Sequence, residues 1–265
     1  MLLRISLFLL LLLSACGKVP TPEPDQPVLH FTGDFETGNL NGFHSLVVDS
    51  SVSTAIITQP VRKGSYALQN YLRTDDFIFN GYRSELAIYN CAKYKTEVFY
   101  GFSFMIDTGY SDNSYNLLCQ WQDLPNYIQG ENWEPLPYLN ASPPPIALVY
   151  VNGNLELKMN DDPGLNASPF LVGNARPIAK GQWYDVVARM YWCDDNTAYT
   201  EIWLNGTQIT PFNGSDFRFY KRNLYTRSGN YFKFGQYRGR SQPTANCKVY
   251  FDEVKTGSSY AEVAP

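Results

Sequence analysis

Short runs rich in β-branched and aromatic residues recur along the chain and constrain its fold more than any other feature. Several of them alternate in polarity, as half-buried strands do. The runs are 53–57, 97–106, 146–151, 155–159, 184–192, 199–204 and 248–254. Asn152-Gly153-Asn154 and Asn205-Gly206 sit between strand-like runs and tolerate the positive φ angles of tight hairpins. Because no segment keeps a helical period beyond about two turns, we predict an all-β sandwich of two antiparallel sheets.

The N-terminal segment predicts export. Residues 5–13 form an apolar run behind Arg4 that is too short to span a bilayer, which needs about 20 residues. The sequence Leu13-Ser14-Ala15-Cys16 resembles a bacterial lipobox. We therefore expect a signal peptide at 1–15, a lipidated Cys16 with a proline-rich tether at 16–27, and one folded domain at 28–265. The expected location is the outer membrane, on its periplasmic or cell-surface side, and an ordinary secretory signal is the alternative.

The composition narrows the class of partner. Aromatic residues make up 15% of the chain and charged residues only 17%, which suits a sandwich with an aromatic-lined surface. The net charge of −4 gives no reason to expect nucleic-acid binding. Besides Cys16, the cysteines are Cys91, Cys119, Cys193 and Cys247. They form no CxxC motif, so either disulfides or buried thiols are expected.

Two segments stand out within the predicted domain. Residues 107–145 carry many rings and a proline run, and we interpret much of this stretch as loop bordering a binding groove or as a flap over the core. Its aromatic residues are Tyr110, Tyr115, Trp121, Tyr127, Trp133 and Tyr138. Residues 218–240 carry seven basic side chains and no acid. Such a segment can attract a polyanion, or it can be a solvated face with acids opposite.

Three short segments carry the candidate chemistry, at 82–86, 120–122 and 231–238. In strands, alternate residues share a face. This groups Arg83 with Glu85, Gln120 with Gln122, and Lys233 with Gly235 and Tyr237. A surface that offers an arginine, two amides, a lysine and a tyrosine suits an acidic sugar.

These segments resemble the signature strands of jelly-roll polysaccharide lyases, which read R-S/T-E-L, Q-x-H and Y-F-K-x-G-x-Y in alginate lyases. The flanks at 34–38, 181–185, 202–206 and 249–254 are similar to the heparin and glucuronan lyase group, so the resemblance covers nearly all of residues 30–256. It implies a concanavalin-like β-jelly roll over 28–265. It also implies β-elimination on an acidic, uronate-containing polysaccharide, with no cofactor required for the chemistry.

The resemblance also implies roles for individual residues. Arg83 and Gln120 would neutralise the uronate carboxylate, and Tyr237 would transfer protons. Further substrate contacts are expected from Lys233, Gln122, Glu85, Arg238 and Trp121. Glu36, the Gly38 carbonyl and Asp252 resemble a structural calcium site, with exposed turn acids as the alternative. We expect a monomer.

One position departs from the family pattern, because Gln122 stands where those lyases carry a histidine. An amide cannot act as a general base, and His44 is a possible substitute. If Tyr237 must both remove H5 and protonate O4, the two must lie cis on the sugar ring, as in glucuronate and mannuronate. The alternative is a lyase-like lipoprotein that binds glycans without cleaving them.

Overall fold

Tight hairpins at the two predicted Asn-Gly turns organise neighbouring strands. Asn152 and Gly153 have φ angles of 50° and 75°, and Asn205 and Gly206 have 49° and 74°. Positive φ at both central positions is the geometry whose twist matches paired strands. The predicted turns are therefore confirmed.

A computed structural model describes residues 30–265 except 48, 80, 90–91, 112–114, 125–142, 161–169, 172, 174, 211–216 and 240–244. The predicted signal peptide, Cys16, the tether, Cys91, Tyr127, Trp133, Tyr138 and Arg240 lie outside the described residues. No helix among the described residues is long and apolar enough to cross a membrane.

The described elements are almost all strands. In chain order they are β1 (Phe31–Gly33), β2 (His44–Leu46), α1 (Ser50–Ser53), β3 (Thr54–Ile57), β4 (Ala67–Leu72), β5 (Phe77–Ile78), β6 (Gly81–Ile88), β7 (Glu97–Ile106), β8 (Asn116–Asp123), β9 (Ile146–Val151), β10 (Asn154–Met159), β11 (Phe170–Leu171), β12 (Arg176–Pro177), β13 (Trp183–Tyr191), β14 (Tyr199–Leu204), β15 (Thr207–Gln208), β16 (Phe219–Tyr220), β17 (Asn230–Gly239), β18 (Cys247–Gly257) and α2 (Tyr260–Val263).

These strands form two antiparallel sheets, which confirms the predicted fold class. The first sheet runs β15-β14-β13-β7-β18-β4-β3, with β1 beside β18 and β16 beside β14. The second runs β11-β10-β9-β8-β17-β6-β2, with β12 beside β10 and β5 beside β6. The three segments that carry the lyase resemblance lie on β6, β8 and β17, which are adjacent in the second sheet although they are distant in sequence.

The core between the sheets is rich in aromatic residues. Trp121 on β8 and Phe232 on β17 are fully buried, and their ring centroids are 5.1 Å apart. Tyr100 on β7 of the opposite sheet packs edge-on against Trp121 at 5.3 Å. Cys119, Cys193 and Cys247 are buried free thiols, so the buried-thiol interpretation holds for these three cysteines.

An irregularity in β8 determines which of its side chains face outward. Leu117 pairs with Val149 and Cys119 pairs with Leu148, so β8 carries one extra residue between these pairs. A bulge of this kind changes the alternation of faces along a strand. Leu117 packs with Val149 and Tyr237 in an outer-face cluster, while Leu118, Cys119 and Trp121 belong to the core.

Candidate active site

Side chains from β6, β8 and β17 meet on the outer face of the second sheet. Lys233 is paired with Gln120 on one side and with Ala87 on the other, and Tyr237 is paired with Arg83. Directly paired residues in neighbouring strands project to the same face. The structure thus brings Arg83, Gln120, Lys233 and Tyr237 onto one surface, as the alternation in the sequence predicted.

The guanidinium of Arg83 and the ring of Tyr237 are in direct contact. The Arg83 Cζ atom lies 4.6 Å from the centroid of the Tyr237 ring, within the range of a cation–π interaction. Gly81 also lies close to this ring, since an added Cβ there would come within 2.3 Å of Tyr237 Cε2. A glycine at position 81 therefore leaves the space that the tyrosine ring occupies.

Glu85 connects the arginine to the amide. Its Oε1 accepts a hydrogen bond of 2.5 Å from Gln120 Nε2, and its Oε2 lies 3.4 Å from Arg83 Nη1. The Glu85 side chain is only 1% exposed. Glu85 therefore orients Arg83 and Gln120, and its predicted direct contact with a sugar stays a prediction.

Gly235 brings β17 close to β6. Its φ angle is +133°, and an added Cβ would lie 2.3 Å from the Ser84 carbonyl oxygen. Both the backbone conformation and the close approach require glycine. The glycine in K-x-G-x-Y is thus explained by its packing, because it seats the strand that carries Lys233 and Tyr237 against the strand that carries Arg83.

Burial shifts the acid–base properties of two groups at the site. It lowers the pKa of Lys233 to about 8, against the opposing effect of Glu85 and with a smaller contribution from Arg83. Burial also raises the pKa of Tyr237, while the charge of Arg83 acts in the opposite direction. At neutral pH, Lys233 is therefore a cation and Tyr237 is a protonated phenol.

Gln122, which stands where the family carries a histidine, and His44, the possible substitute base, lie on the same face. Gln122 is paired with Tyr231 on β17 and is 6% exposed. His44 on β2 is paired with Ala87, the residue that also pairs with Lys233. The exposed His44 ring packs edge-on against Tyr89 at 4.7 Å. An imidazole thus lies two strands away from Lys233, at about 4.8 Å per strand.

The family described as polysaccharide lyase matches residues 35–255, more than half of the chain. The chain belongs to this family. The expectation of an enzyme, a polysaccharide lyase, is confirmed by this membership. Among curated proteins, no sequence matches the chain.

Solved structures show the same fold as this polysaccharide lyase. An endo-β-1,4-glucuronan lyase from the fungus Trichoderma reesei is 22% identical, with a TM-score of 0.66 over 89% of this chain and 98% of that one. The alginate lyase A1-II′ of polysaccharide lyase family 7 is 16% identical, with a TM-score of 0.52 over 77% and 83% of the two chains. The cellulose-induced protein Cip1 is 12% identical, with a TM-score of 0.53 over 86% and 97%.

Two predicted substrate contacts of the lyase are corrected by the structure. Trp121 is fully buried between the sheets, because it alternates with Gln120 and Gln122 and so points to the opposite face. Arg238 is also fully buried, and it alternates with Tyr237 in the same way. Its guanidinium donates hydrogen bonds to Tyr110 Oη at 3.2 Å and to Cys247 Sγ at 2.8 Å. Both side chains therefore lie in the core and not on the candidate site.

The basic residues that the structure describes in the segment 218–240 do not form one positive surface. Arg218 pairs with Glu201 at 2.9 Å on the first sheet, and Arg227 pairs with Asp194 at 2.9 Å. Lys233 alone of these three reaches the candidate site. The interpretation as a solvated segment with acids opposite is therefore correct for Arg218 and Arg227, and the expected polyanion surface along the whole segment is wrong.

The proposed calcium ligands hold one loop in place. Glu36 accepts backbone hydrogen bonds from Ser65 and Tyr66, each at 3.0 Å. Asp252 Oδ2 accepts bonds from the backbone amides of Arg62 and Lys63, at 2.9 and 3.2 Å. Both carboxylates thus already have N–H donors from the loop at 62–66. Gly38 has a positive φ of 70° and closes the neighbouring turn. Calcium binding by these residues stays a prediction.

Sequence reasoning missed Gly81 as a residue that shapes the site. Its position directly before Tyr82 and Arg83 offers no signal of its own, because the ring that it accommodates is on β17. Strand pairing places Gly81 opposite Gly239, two residues beyond Tyr237. Only the register of β6 against β17 shows why position 81 lacks a side chain.

Proposed function

We propose that this polysaccharide lyase cleaves a uronate-containing polysaccharide by β-elimination on the outer face of its second sheet. One observation carries the proposal: Arg83, Gln120, Lys233 and Tyr237 share a single surface although they come from three distant segments. The similar folds of a glucuronan lyase and an alginate lyase support a uronate as the substrate class.

The charges at this surface suit a carboxylate. The cluster contains two cations, Arg83 and protonated Lys233, and one carboxylate, Glu85. It therefore carries a net positive charge at neutral pH. The proton at C5 of a uronate becomes acidic when the neighbouring carboxylate is neutralised by positive charge and hydrogen bonds. Arg83 and Gln120 would supply these interactions, and Glu85 holds both in position.

Tyr237 would move the proton. The fraction of Tyr237 that has lost its own proton to solvent takes H5 as a phenolate, the C5–H electrons form the C4–C5 double bond, and the C4–O4 bond breaks. The resulting phenol then donates its proton to the departing O4. The contact with Arg83 favours the phenolate, since a nearby positive charge stabilises the anion. Because one group serves both atoms, H5 and O4 must be cis, which favours glucuronate- and mannuronate-type sites.

His44 is the alternative base. It lies on the same face in the row of Lys233 and Gln120, and imidazole is suited to proton transfer near neutral pH. A base separate from Tyr237 would remove the requirement for cis geometry. Substrate preference and a His44 variant together distinguish the two arrangements.

The test of the proposed function is a turnover assay on purified protein. The unsaturated product absorbs in the ultraviolet, so glucuronan, polymannuronate and polyguluronate can be compared directly. Tyr237→Phe should abolish cleavage and leave oligosaccharide binding largely intact. Binding of a polyuronate by the unaltered protein without cleavage of any would instead support the glycan-binding alternative.

We further propose that the chain is exported and carries lipid on Cys16, with the lyase domain held off an outer membrane by residues 17–27. The lipobox-like sequence supports this proposal. Incorporation of a labelled fatty acid that disappears in Cys16→Ala would agree with it, and labelling unchanged by that substitution would contradict it. A melting temperature that falls on chelation would support the calcium site at Glu36, Gly38 and Asp252.

A further inference from the structure

A hairpin borders the candidate active site and exposes a phenylalanine. The hairpin joins β5 to β6, the strand that carries Arg83. Phe79 at its turn is 63% exposed, which is the largest fraction among the large hydrophobic side chains of the described residues. Exposed hydrophobic surface that is rimmed by polar residues often marks a binding site.

The backbone of Phe79 adopts an unfavourable conformation. Its φ angle is +48°, in the left-handed region that bulky side chains rarely enter. Asparagine or glycine would adopt this conformation more easily. A bulky residue at such a position gives up stability, and such residues cluster where function requires the side chain.

Phe79 is joined directly to the candidate site through Arg83. The Phe79 carbonyl oxygen accepts a hydrogen bond of 3.1 Å from Arg83 Nη2. The Arg83 Cζ atom lies 5.9 Å from the centroid of the Phe79 ring and 4.6 Å from that of the Tyr237 ring. The guanidinium is therefore close to both rings, and Phe79 lies next to the position proposed for the uronate carboxylate.

The neighbouring aromatic residue of the same hairpin has a different environment. Phe77 packs edge-on against Tyr82, with ring centroids 5.1 Å apart, and is 42% exposed. Its ring thus has an evident packing role within the hairpin. The ring of Phe79 projects further into solvent while its main chain is held by Arg83.

We propose that Phe79 is a stacking platform for the sugar ring adjacent to the one whose carboxylate meets Arg83. The inference rests on the proposed function and adds a substrate-positioning residue to it. The C–H groups on one face of a pyranose pack against an aromatic ring, while the charged groups of the polymer point elsewhere. Stacking of this kind binds the polysaccharide without selecting for a particular order of uronate residues.

The test distinguishes the effect of the aromatic ring on binding from the effect of the turn conformation on stability. Phe79→Asn removes the ring and introduces a residue that tolerates positive φ, whereas Phe79→Trp keeps an aromatic platform. Phe217→Asn is the matched control, because Phe217 is 44% exposed and precedes β16 of the other sheet. Each substitution is made in the Tyr237→Phe background, so that binding of uronate oligosaccharides can be measured by calorimetry without turnover.

Phe79→Asn should weaken binding about tenfold, the size expected for one aromatic contact, with an equal or higher melting temperature. Phe79→Trp should restore binding, and Phe217→Asn should leave it unchanged. Equal affinity of the Phe79→Asn and control proteins would overturn the inference, as would a fall in melting temperature that accompanies the loss of binding.

Failure of the proposed function would give different experimental results from failure of the stacking platform alone. If neither the unaltered protein nor Tyr237→Phe binds any polyuronate, the proposed function is wrong and the platform with it. If the unaltered protein cleaves a polyuronate while Phe79→Asn, without the Tyr237 change, shows an unaltered KM, the platform alone is wrong.

Discussion

The guanidinium carbon of Arg83 lies 4.6 Å from the centroid of the Tyr237 ring, although 154 positions separate the two residues in the sequence. This contact links the two tasks of the proposed reaction. The same positive charge that would bind the uronate carboxylate also lowers the pKa of the phenol, against the larger effect of burial. In the proposed reaction, binding the acid and removing its proton would therefore depend on one pair of side chains.

The first prediction concerns the charge of Arg83. Arg83→Met should lower kcat/KM about tenfold to a hundredfold, because a charged hydrogen-bonding partner is lost. The pKa of Tyr237 should rise further without the opposing cation, so activity should rise at higher pH than in the unaltered enzyme. Arg83→Lys should recover part of the loss, since it keeps the charge but not the planar fork. An unchanged pH profile in Arg83→Met would contradict the coupling.

Gly81→Ala tests the placement of the Tyr237 ring. The new Cβ would lie 2.3 Å from Tyr237 Cε2, so the ring must move. We expect kcat to fall about tenfold to a hundredfold, since displacements of about 1 Å have effects of this size. Gly239→Ala is the control, because Gly239 is paired with Gly81 and an added Cβ there meets nothing within 4 Å. Equal activity of the two variants would show that the ring position is unimportant.

Because Lys233 loses its charge at moderately alkaline pH, we expect substrate affinity to depend on pH. Its pKa is lowered to about 8 by burial, so the charge is present below that pH and is lost as the pH rises through it. The KM of the unaltered enzyme should therefore increase above pH 8. Lys233→Met lacks the charge at every pH, so its KM should be raised about tenfold and should vary less over this range. A KM that rises equally in both proteins would exclude Lys233 as the cause.

His44→Ala decides between the two bases. If Tyr237 both takes H5 and protonates O4, the variant should keep kcat within a few-fold of the unaltered enzyme. A loss of about 10² to 10⁴, the usual effect of removing a general base, would assign proton removal to His44. Rates on glucuronan at several pH values, with circular dichroism to confirm folding, are sufficient to measure this.

The sequence predicted the parts of the site that depend on local pattern. Alternation along β17 placed Lys233 and Tyr237 on one face, and the Asn-Gly turns gave the hairpins. The same alternation places Arg238 on the core face, but an arginine is rarely buried and was expected at the surface. Its burial depends on Tyr110 and Cys247, which come from other elements.

Other features of the site depend on contacts between distant strands. His44 lies beside the site because β2 pairs with β6, and no property of the segment around His44 specifies that pairing. The bulge in β8, which puts Leu117 and Gln120 on the same face, likewise appears only when β9 and β17 are in place. Long-range register of this kind is not encoded in a local pattern.

In the proposed mechanism, Tyr237 carries out syn elimination at a uronate bound by Arg83 and Gln120. The most direct measurement compares the release of unsaturated product from glucuronan, polymannuronate and polyguluronate by the unaltered enzyme and by Tyr237→Phe. We predict cleavage of glucuronan or polymannuronate that the substitution abolishes, with polyguluronate left intact. Rapid cleavage of polyguluronate alone, or full activity of Tyr237→Phe, would contradict it.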